Sequence, residues 1–356
     1  MEWLALASFL SIFFKLISAQ LNETCTTSNR RIGTCIPVKN CDYVLNILRN
    51  PTPSSEHWYF LENNKCGEID DQPLPKPLVC CPLVYNNPNC GVSKVSNRIY
   101  GGEESDMLQF PWSGVLVYKI NKKRFSVKCG CTLLNSRWVL TAAHCLNNLP
   151  SSWTLHRVRF REHNSLKAAK CTMTEMGEEI CRQEYEIEGH PICHPDYDST
   201  STDMENDISL IKTKQEVEFN DYVNPICLPF SSEIRNMPID GLEFTITGWG
   251  QVEKDKKAGI QYHVTVKGRP NEECDKAFAP IGISLTENQI CAGGERNKDS
   301  CRGDSGGALM WQTELVTYLI GIVSFGARDC GTVNHPSVYT NVAKYLDWIE
   351  EEITSS

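Results

Sequence analysis

The sequence predicts an all-β protein with a C-terminal helix, preceded by a small module that disulfides hold together. Six cysteines lie within residues 20–82, where the chain between them is short and polar. From residue 113 to residue 325, short β-rich runs alternate with clusters of Gly, Pro and Asn, which is typical of a barrel or sandwich. Near the end, apolar residues repeat at helical spacing instead.

The size and composition of the chain limit what it could do. Its 356 residues suggest two or more domains, and 41 % hydrophobic residues supply ample material for a core. The formal net charge of −9, with no basic run, argues against nucleic acid as a partner.

Residues 1–19 are predicted to be a secretory signal peptide, because an apolar run ends in Ser18-Ala19. Glu2 and Lys15 depart from the usual charge pattern. The alternative, a membrane anchor, is disfavoured because the uncharged run is too short to span a bilayer. The protein is therefore expected to be secreted, with its 18 cysteines forming disulfides. Asn22 begins an Asn-Glu-Thr sequence and is a candidate glycosylation site.

The module at 20–82 is too small to bury much apolar surface, so covalent links must stabilise it. Six cysteines allow fifteen pairings, and their spacing alone does not choose among them. Adjacent residues of a strand point to opposite faces, so neighbouring Cys80 and Cys81 should have different partners. Its cysteines are Cys25, Cys35, Cys41, Cys66, Cys80 and Cys81.

A linker is expected over residues 83–98, because Asn, Pro, Gly and Ser favour turns and exposed chain. Cys90 is the one cysteine of this segment, so its partner must lie elsewhere. The second domain is assigned to residues 99–356. Its final helix would run from about Val342 to Ile353, with Asn341 as a possible N-cap.

Three segments of the second domain carry residues suited to nucleophilic catalysis. Ser305 lies in Gly303-Asp-Ser-Gly-Gly307, where glycines allow backbone N–H groups to converge on one oxyanion. His144, in Thr141-Ala-Ala-His-Cys145, could act as a base, and Asp207 could orient its ring.

These segments, with others in the same order, resemble the trypsin-like serine proteases of the chymotrypsin fold. With residues 20–82, the mature chain is similar to an arthropod clip-domain serine protease, of the subgroup that includes Easter and the prophenoloxidase-activating proteases. The resemblance implies a double six-stranded β-barrel with a C-terminal helix. The motifs that carry it are Ile99-Tyr-Gly-Gly102, Phe110-Pro-Trp112, Thr141–Cys145, Asp207-Ile-Ser-Leu210, Pro225-Ile-Cys-Leu-Pro229, Gly248-Trp-Gly250, Gly303–Gly307 and Tyr339-Thr-Asn-Val342.

The resemblance implies a role for each of these residues. Ser305 would be the nucleophile, His144 the general base and Asp207 its orienting carboxylate. The N–H groups of Gly303 and Ser305 would form the oxyanion hole.

The resemblance also places a substrate-binding pocket with Asp299 at its floor. Ser324, Gly326 and Ser337 would line it, and Ser337 stands where relatives usually have Gly. A carboxylate floor favours Arg or Lys, with Arg expected to be preferred because guanidinium pairs bidentately with a carboxylate.

Cleavage after Arg98 would free the amine of Ile99, which would then pair with Asp304 and order the oxyanion loop. The chain is therefore expected to be a zymogen that another trypsin-like enzyme activates. Ala308 replaces the family's usual Pro, with only local effects expected.

The resemblance further implies disulfides for most of the cysteines. Cys131 and Cys193 remain by exclusion and either pair or stay free. The implied pairs are Cys25–Cys80, Cys35–Cys66, Cys41–Cys81, Cys90–Cys227, Cys129–Cys145, Cys171–Cys181, Cys274–Cys291 and Cys301–Cys330.

No metal or other cofactor is expected. Glu162 and Asn164 match a loop that binds calcium in some relatives, but lysines and alanines between Ser165 and Lys170 replace the oxygen ligands calcium needs.

The partners implied are a protein substrate, an upstream protease and a serpin inhibitor, in a haemolymph cascade of melanisation or Toll-ligand processing. A non-catalytic clip-domain homologue acting as a binding cofactor is the alternative. A digestive trypsin is a third reading, disfavoured because it needs no tethered module.

Overall fold

The computed structural model describes most of the chain after the predicted signal peptide. The described residues are 21–69, 74–94, 103–121, 124–147, 149–162, 164–167, 169–173, 177, 179–253, 256–257, 259–296, 298–327 and 330–355. Within them the chain forms two units, one of residues 21–85 together with the last residues from Ile353, and one of residues 86–352.

Four strands and two α-helices form the first unit. The strands make one antiparallel sheet in the order β1-β2-β4-β3 once they are numbered along the chain. In chain order the elements are β1 (Thr24–Thr26), β2 (Ile32–Pro37), α1 (Asp42–Arg49), α2 (Ser55–Asn63), β3 (Lys65–Ile69) and β4 (Lys76–Pro82).

Three disulfides surround a small core in this unit. Cys80 and Cys81 are neighbours on β4 and bond Cys25 and Cys41 respectively, as opposite faces of a strand require. The third bond joins Cys35 to Cys66. A core this small stabilises a fold weakly, so the cross-links add an essential share of the stability. The core cluster consists of Cys41, Val44, Ile47, Phe60, Val79 and Cys81.

The second unit is built almost entirely of strands. Its first part contains β5 (Glu103–Glu104), β6 (Ser113–Ile120), β7 (Arg124–Leu133), β8 (Trp138–Thr141), β9 (Trp153–Phe160), β10 (Cys171–Met173), β11 (Glu179–Cys181), β12 (Gln183–Glu186), β13 (Ile192–Cys193) and β14 (Ser209–Lys212). Its second part contains α3 (Ser232–Arg235), β15 (Glu243–Gly248), β16 (Gln251–Glu253), β17 (Lys256–Lys257), β18 (Tyr262–Arg269), α4 (Asn271–Phe278), β19 (Gln289–Gly293), β20 (Ala308–Gln312), β21 (Thr317–Phe325), β22 (Pro336–Asn341) and α5 (Leu346–Ser355).

Two large sheets of the second unit curl into barrels. The first has the order β12-β9-β6-β7-β8-β14-β13, and a bridge between Ile187 and Thr213 joins the ends of β12 and β14. The second has the order β15-β20-β21-β22-β19-β18-β5, and β15 also pairs with β18. Each barrel is thus a ring of six strands with one added strand, which confirms the predicted double six-stranded fold.

The C-terminal helix is also confirmed, but its start differs from the prediction. A 3₁₀ turn over Val342–Lys344 precedes α5, which begins at Leu346. Asn341 makes no capping hydrogen bond, because its side-chain amide donates to the carbonyl of Glu287. No helix in the described ranges has the length and apolar run needed to cross a membrane.

The segment predicted as a linker is attached to the second unit through its Asn86–Gly91 part. Cys90 is bonded to Cys227, and the Gly91 N–H donates to the carbonyl of Pro225. Gly91 has φ +66° and lies against Thr317, so only glycine fits there. Residues 86–91 are therefore held against the barrels rather than forming free chain.

Four further disulfides lie in the second unit, and two cysteines are free. The bonded pairs are Cys129–Cys145, Cys171–Cys181, Cys274–Cys291 and Cys301–Cys330. The possible bond between Cys131 and Cys193 does not form. Cys131 lies on β7 and Cys193 on β13, and two strands, β8 and β14, separate them. Strands lie about 4.8 Å apart, which puts these residues well beyond disulfide reach.

Candidate active site

His144 and Asp207 meet just beyond the ends of two neighbouring strands, β8 and β14. His144 follows β8 in a 3₁₀ turn that the Cys129–Cys145 disulfide anchors. Its Nδ1 lies 2.7 Å from Asp207 Oδ2, and its backbone N–H donates to Asp207 Oδ1 at 2.8 Å. Because Nδ1 faces the carboxylate, Nε2 is left as the nitrogen that could accept a proton.

The Asp207 carboxylate sets the basicity of this imidazole. Burial lowers the pKa of His144, but the charge of Asp207 and its hydrogen bond outweigh burial, so the pKa lies above its ordinary value. The Asp207 side chain is fully buried, whereas the His144 side chain is 23 % exposed. The imidazole is therefore a strengthened base that remains reachable from solvent.

Two hydroxyl groups fix Asp207 from the other barrel. Ser324, on β21, donates to Asp207 Oδ2 at 2.6 Å, and Thr340, on β22, donates to the Asp207 carbonyl at 2.8 Å. A buried carboxylate needs such donors, because leaving it without partners would raise its free energy. The substrate-binding role predicted for Ser324 stays a prediction, and its hydroxyl has the further role of fixing Asp207.

The turn that carries Ser305 packs against the segment leading to His144. The carbonyl of Ser305 accepts a hydrogen bond from the N–H of Gly130 at 2.8 Å. Gly306 has φ +77°, and a Cβ there would overlap Thr141 Oγ1. Glycine at this position therefore allows the serine turn to approach the histidine turn closely.

Gly303 gives this turn a backbone geometry suited to anion binding. Its φ is +109°, and a Cβ would lie 2.9 Å from the Cα of Gly250. In the part of the chain that the structure describes, no backbone carbonyl accepts a hydrogen bond from the N–H of Gly303 or Ser305. Two donors of one loop are thus available to a bound oxyanion.

The carboxylate of Asp304 is enclosed by glycines. It accepts hydrogen bonds from the N–H of Gly250 at 2.8 Å and of Cys301 at 2.9 Å. A Cβ at Gly248 would overlap Asp304 Oδ1, and one at Gly250 would lie 2.6 Å from it. Burial raises the pKa of Asp304 to about 6, so the ionised carboxylate is poorly stabilised without a cation.

Asp299, Gly326 and Ser337 are brought together as a second group. Ser337 is buried and donates to Asp299 Oδ1 at 2.6 Å, and the Gly331 N–H donates to Oδ2 at 3.1 Å. A Cβ at Gly326 would overlap the Ser337 hydroxyl, so this serine fits because Gly326 has no side chain. Burial raises the pKa of Asp299 although these hydrogen bonds lower it.

Arg98 and Ile99 are outside the described residues. Asn22 is exposed beside β1, as a glycosylation site requires.

Two structural roles had no signal in the sequence. The contact of Ser324 with Asp207 spans 117 residues. Arg182, which pairs with the buried Glu162, follows a cysteine and belongs to no motif.

The chain is similar to known proteins over most of its length. The family profile "Trypsin" matches residues 99–349, and "Regulatory CLIP domain of proteinases" matches residues 25–81. The chain is 44 % identical to "CLIP domain-containing serine protease B15" of Anopheles gambiae, over 94 % of this chain and 91 % of that protein. It is 33 % identical to "Phenoloxidase-activating factor 1" of Holotrichia diomphalia, over 97 % and 98 %. The crystal structure of the Drosophila "Grass clip serine protease of Toll pathway" superposes with a TM-score of 0.63, at 26 % identity over 94 % and 98 %.

Proposed function

Because the chain belongs to the clip-domain serine proteases of the trypsin family, we propose that it is the secreted zymogen of an endopeptidase that cuts proteins after Arg or Lys. The observation that carries this proposal is the His144–Asp207 pair beside the turn of Ser305. In this proposal residues 1–19 are the signal peptide, 20–82 the clip domain, 83–98 the linker and 99–356 the protease domain.

In the proposed reaction, His144 Nε2 takes the proton of the Ser305 hydroxyl as its oxygen attacks the scissile carbonyl. Asp207 holds the ring through Nδ1 and stabilises the imidazolium that results. The imidazolium then gives its proton to the leaving amine, and water repeats the sequence to release the acyl group.

The carbonyl oxygen becomes negative during the attack, and the N–H groups of Gly303 and Ser305 would bind it. Removing one such donor typically costs about 3 kcal/mol of transition-state stabilisation. The +109° φ of Gly303 directs its peptide, so a side chain at this residue would disturb the oxyanion hole.

Activation would supply the cation that the Asp304 carboxylate lacks among its described partners. Cutting after Arg98 frees the amine of Ile99, and burial of this ion pair would hold the oxyanion loop in place. Glycine at 248 and 250 leaves room for the carboxylate itself, because a Cβ at either position would crowd Asp304 Oδ1.

Replacing Arg98 with Gln is expected to keep the protein inactive when the activating protease is added. We expect peptidase activity about 100-fold or more below that of the cut wild type, because the oxyanion loop would lack its ion pair. The measurement is hydrolysis of a peptide with Arg before the cut bond. Lys94→Gln, in the same segment and paired with exposed Asp221, is the matched control and should be cut and activated normally. Full activity of uncut Arg98→Gln would contradict the activation step.

The Asp299 carboxylate is expected to select a positive side chain before the cut bond. Peptides with Arg, Lys, Phe and Ala at this position should be cleaved in that order of preference, Arg first. Asp299→Ser should lower cleavage at Arg by about 10²- to 10⁴-fold, because it leaves a buried guanidinium without its partner. If the wild type cleaves the Phe peptide in preference to the Arg peptide, the assignment of Asp299 to the pocket floor is wrong. Kinetics with the four peptides provide the measurement.

The names of relatives suggest the substrate class. One is named for activating phenoloxidase, and the superposed protease is titled as part of the Toll pathway. We infer that this enzyme cuts another zymogen or a pro-ligand in haemolymph, is activated by an upstream protease and is inhibited by a serpin. An active-site serine probe tests the main alternative, because a non-catalytic homologue would not be labelled after cleavage.

A further inference from the structure

The guanidinium of Arg182 is surrounded by oxygen atoms from one loop. Its Nε lies 3.1 Å from Glu162 Oε2, and its Nη2 donates to the carbonyls of Asn164 at 3.0 Å and Lys167 at 2.6 Å. The Arg182 side chain is only 9 % exposed and that of Glu162 is fully buried. A carboxylate and two backbone carbonyls thus point at a single, largely buried cation.

Glu162 has a second positive neighbour. Arg159 Nη1 lies 2.8 Å from the same Oε2, and Arg159 also pairs with Glu184. The other oxygen, Glu162 Oε1, is buried and has no hydrogen-bond partner among the described residues. The carboxylate therefore depends on these two guanidinium groups for its charge balance, with one oxygen left unused.

These contacts decide whether the loop fits a calcium ion. Calcium takes carboxylate and carbonyl oxygens, and the three oxygens that contact Arg182 are of these kinds. Their shared position already holds a guanidinium, however, and a divalent ion there would meet strong repulsion. The guanidinium of Arg182 therefore disfavours calcium independently of the lysines and alanines of the loop.

We propose that Arg182 is the built-in cation of the loop that runs from Glu162 to Arg182, and that it takes the place of a divalent metal ion. The arginine neutralises Glu162 and binds the two carbonyls, and a bound metal ion would have the same two roles. Its removal would leave Oε2 of Glu162 and the two carbonyls of Asn164 and Lys167 around one space, and these are oxygens of the kinds that Ca²⁺ takes.

The loop that Arg182 stabilises contacts the chain at Gly259 and Ile260. Ser165 N–H donates to the carbonyl of Gly259 at 2.7 Å, and Asn164 forms a bridge with Ile260. The next residue, Gln261, accepts a hydrogen bond from the Ser105 N–H. The loop thus supports the chain that holds residues shortly after the proposed activation site. Because the cation is a side chain of the protein itself, this support does not vary with the calcium concentration.

The test uses the uncut full-length protein, so its result does not depend on catalysis. Wild type and Arg182→Ala are melted in EGTA, in 10 mM CaCl₂ and in 10 mM MgCl₂, and ⁴⁵Ca²⁺ binding is measured by equilibrium dialysis. We expect the wild type to bind no calcium and to melt at one temperature throughout. Arg182→Ala should melt about 5 °C or more lower in EGTA, because Glu162 loses one of its cations. Calcium should restore at least half of this loss with a Kd of about 1 mM, and magnesium should not.

Two further variants separate this proposal from a general loss of packing. Arg137→Ala removes an arginine that contacts one carboxylate and one carbonyl, and its melting should not respond to calcium. Adding Glu162→Gln to Arg182→Ala should abolish calcium binding. The proposal is overturned if the wild type binds calcium, if Arg182→Ala does not respond to it, or if Arg182→Ala stays unfolded with calcium present.

Discussion

Replacing Ser305 with alanine is expected to lower kcat of the activated enzyme about a million-fold, the scale known for loss of a nucleophile that works as a unit with its base. In the proposed site, the Ser305 hydroxyl is the group that would form a covalent bond to the substrate. Without it, His144 has no proton to accept, and the Asp207 contacts serve no purpose in the reaction. The measurement is hydrolysis of a peptide with Arg before the cut bond, after complete cleavage at Arg98.

The control for this variant must show that the rest of the pocket is intact. Ser305→Ala should still bind benzamidine, a small amidine that would pair with Asp299, within about twofold of the wild type. Ser231→Ala, which removes only the cap of helix α3, is the matched serine variant and should keep full activity. Peptidase activity in Ser305→Ala near that of the wild type would end the proposal that this serine is the nucleophile.

Replacing Asp207 with asparagine is expected to lower kcat about 10⁴-fold. Asp207 Oδ2 accepts from both His144 Nδ1 and Ser324 Oγ, while Oδ1 accepts from the His144 N–H. An amide presents a donor on one side, so at least one of these hydrogen bonds is lost. The ring would then favour a proton on Nε2, where it cannot accept one from Ser305.

The pH dependence of this variant gives a second readout. The enzyme requires neutral His144, so activity falls as the pH drops through the pKa of this group. Asp207 raises that pKa above its ordinary value of 6.5. The activity of the wild type should therefore begin to fall at a pH above 6.5. In Asp207→Asn the negative charge that raises the pKa of His144 is gone and burial still lowers it, so the loss of activity on the acid side should move to lower pH.

Profiles of kcat/KM against pH test this shift, and an unchanged acid limb of the profile would contradict the role of Asp207. Ser324→Ala, which keeps the charge, should shift the limb less.

Much of the fold and of the site could be predicted because the signals are local. The β-rich runs between Gly and Pro clusters predicted the barrels, and periodic apolar residues predicted the final helix. His144, Asp207 and Ser305 each lie in a short segment whose residue types suit one chemical role. Resemblance to a family then supplied the order in which these segments belong together.

The rest depends on distances across the sheets that no local pattern encodes. Cys131 and Cys193 remain once the other cysteines are paired, which would suggest a bond between them. In the structure, however, two strands of the sheet lie between them. Asn341 precedes an apolar helix as a cap would, yet a 3₁₀ turn intervenes and its amide binds Glu287. The contacts of Arg182 arise from the path of a loop, and the residue itself carries no distinguishing pattern.

The disulfide between Cys90 and Cys227 would keep the two fragments of the activated molecule linked after cleavage. The proposed cut, between residues 98 and 99, lies between these two cysteines in the chain. On a non-reducing gel, cut and uncut protein should therefore run as one band, and fragments should separate only after treatment with a reductant. Purification by size would not distinguish the two forms. An antibody against the amino-terminal module would retain the active protease on a column.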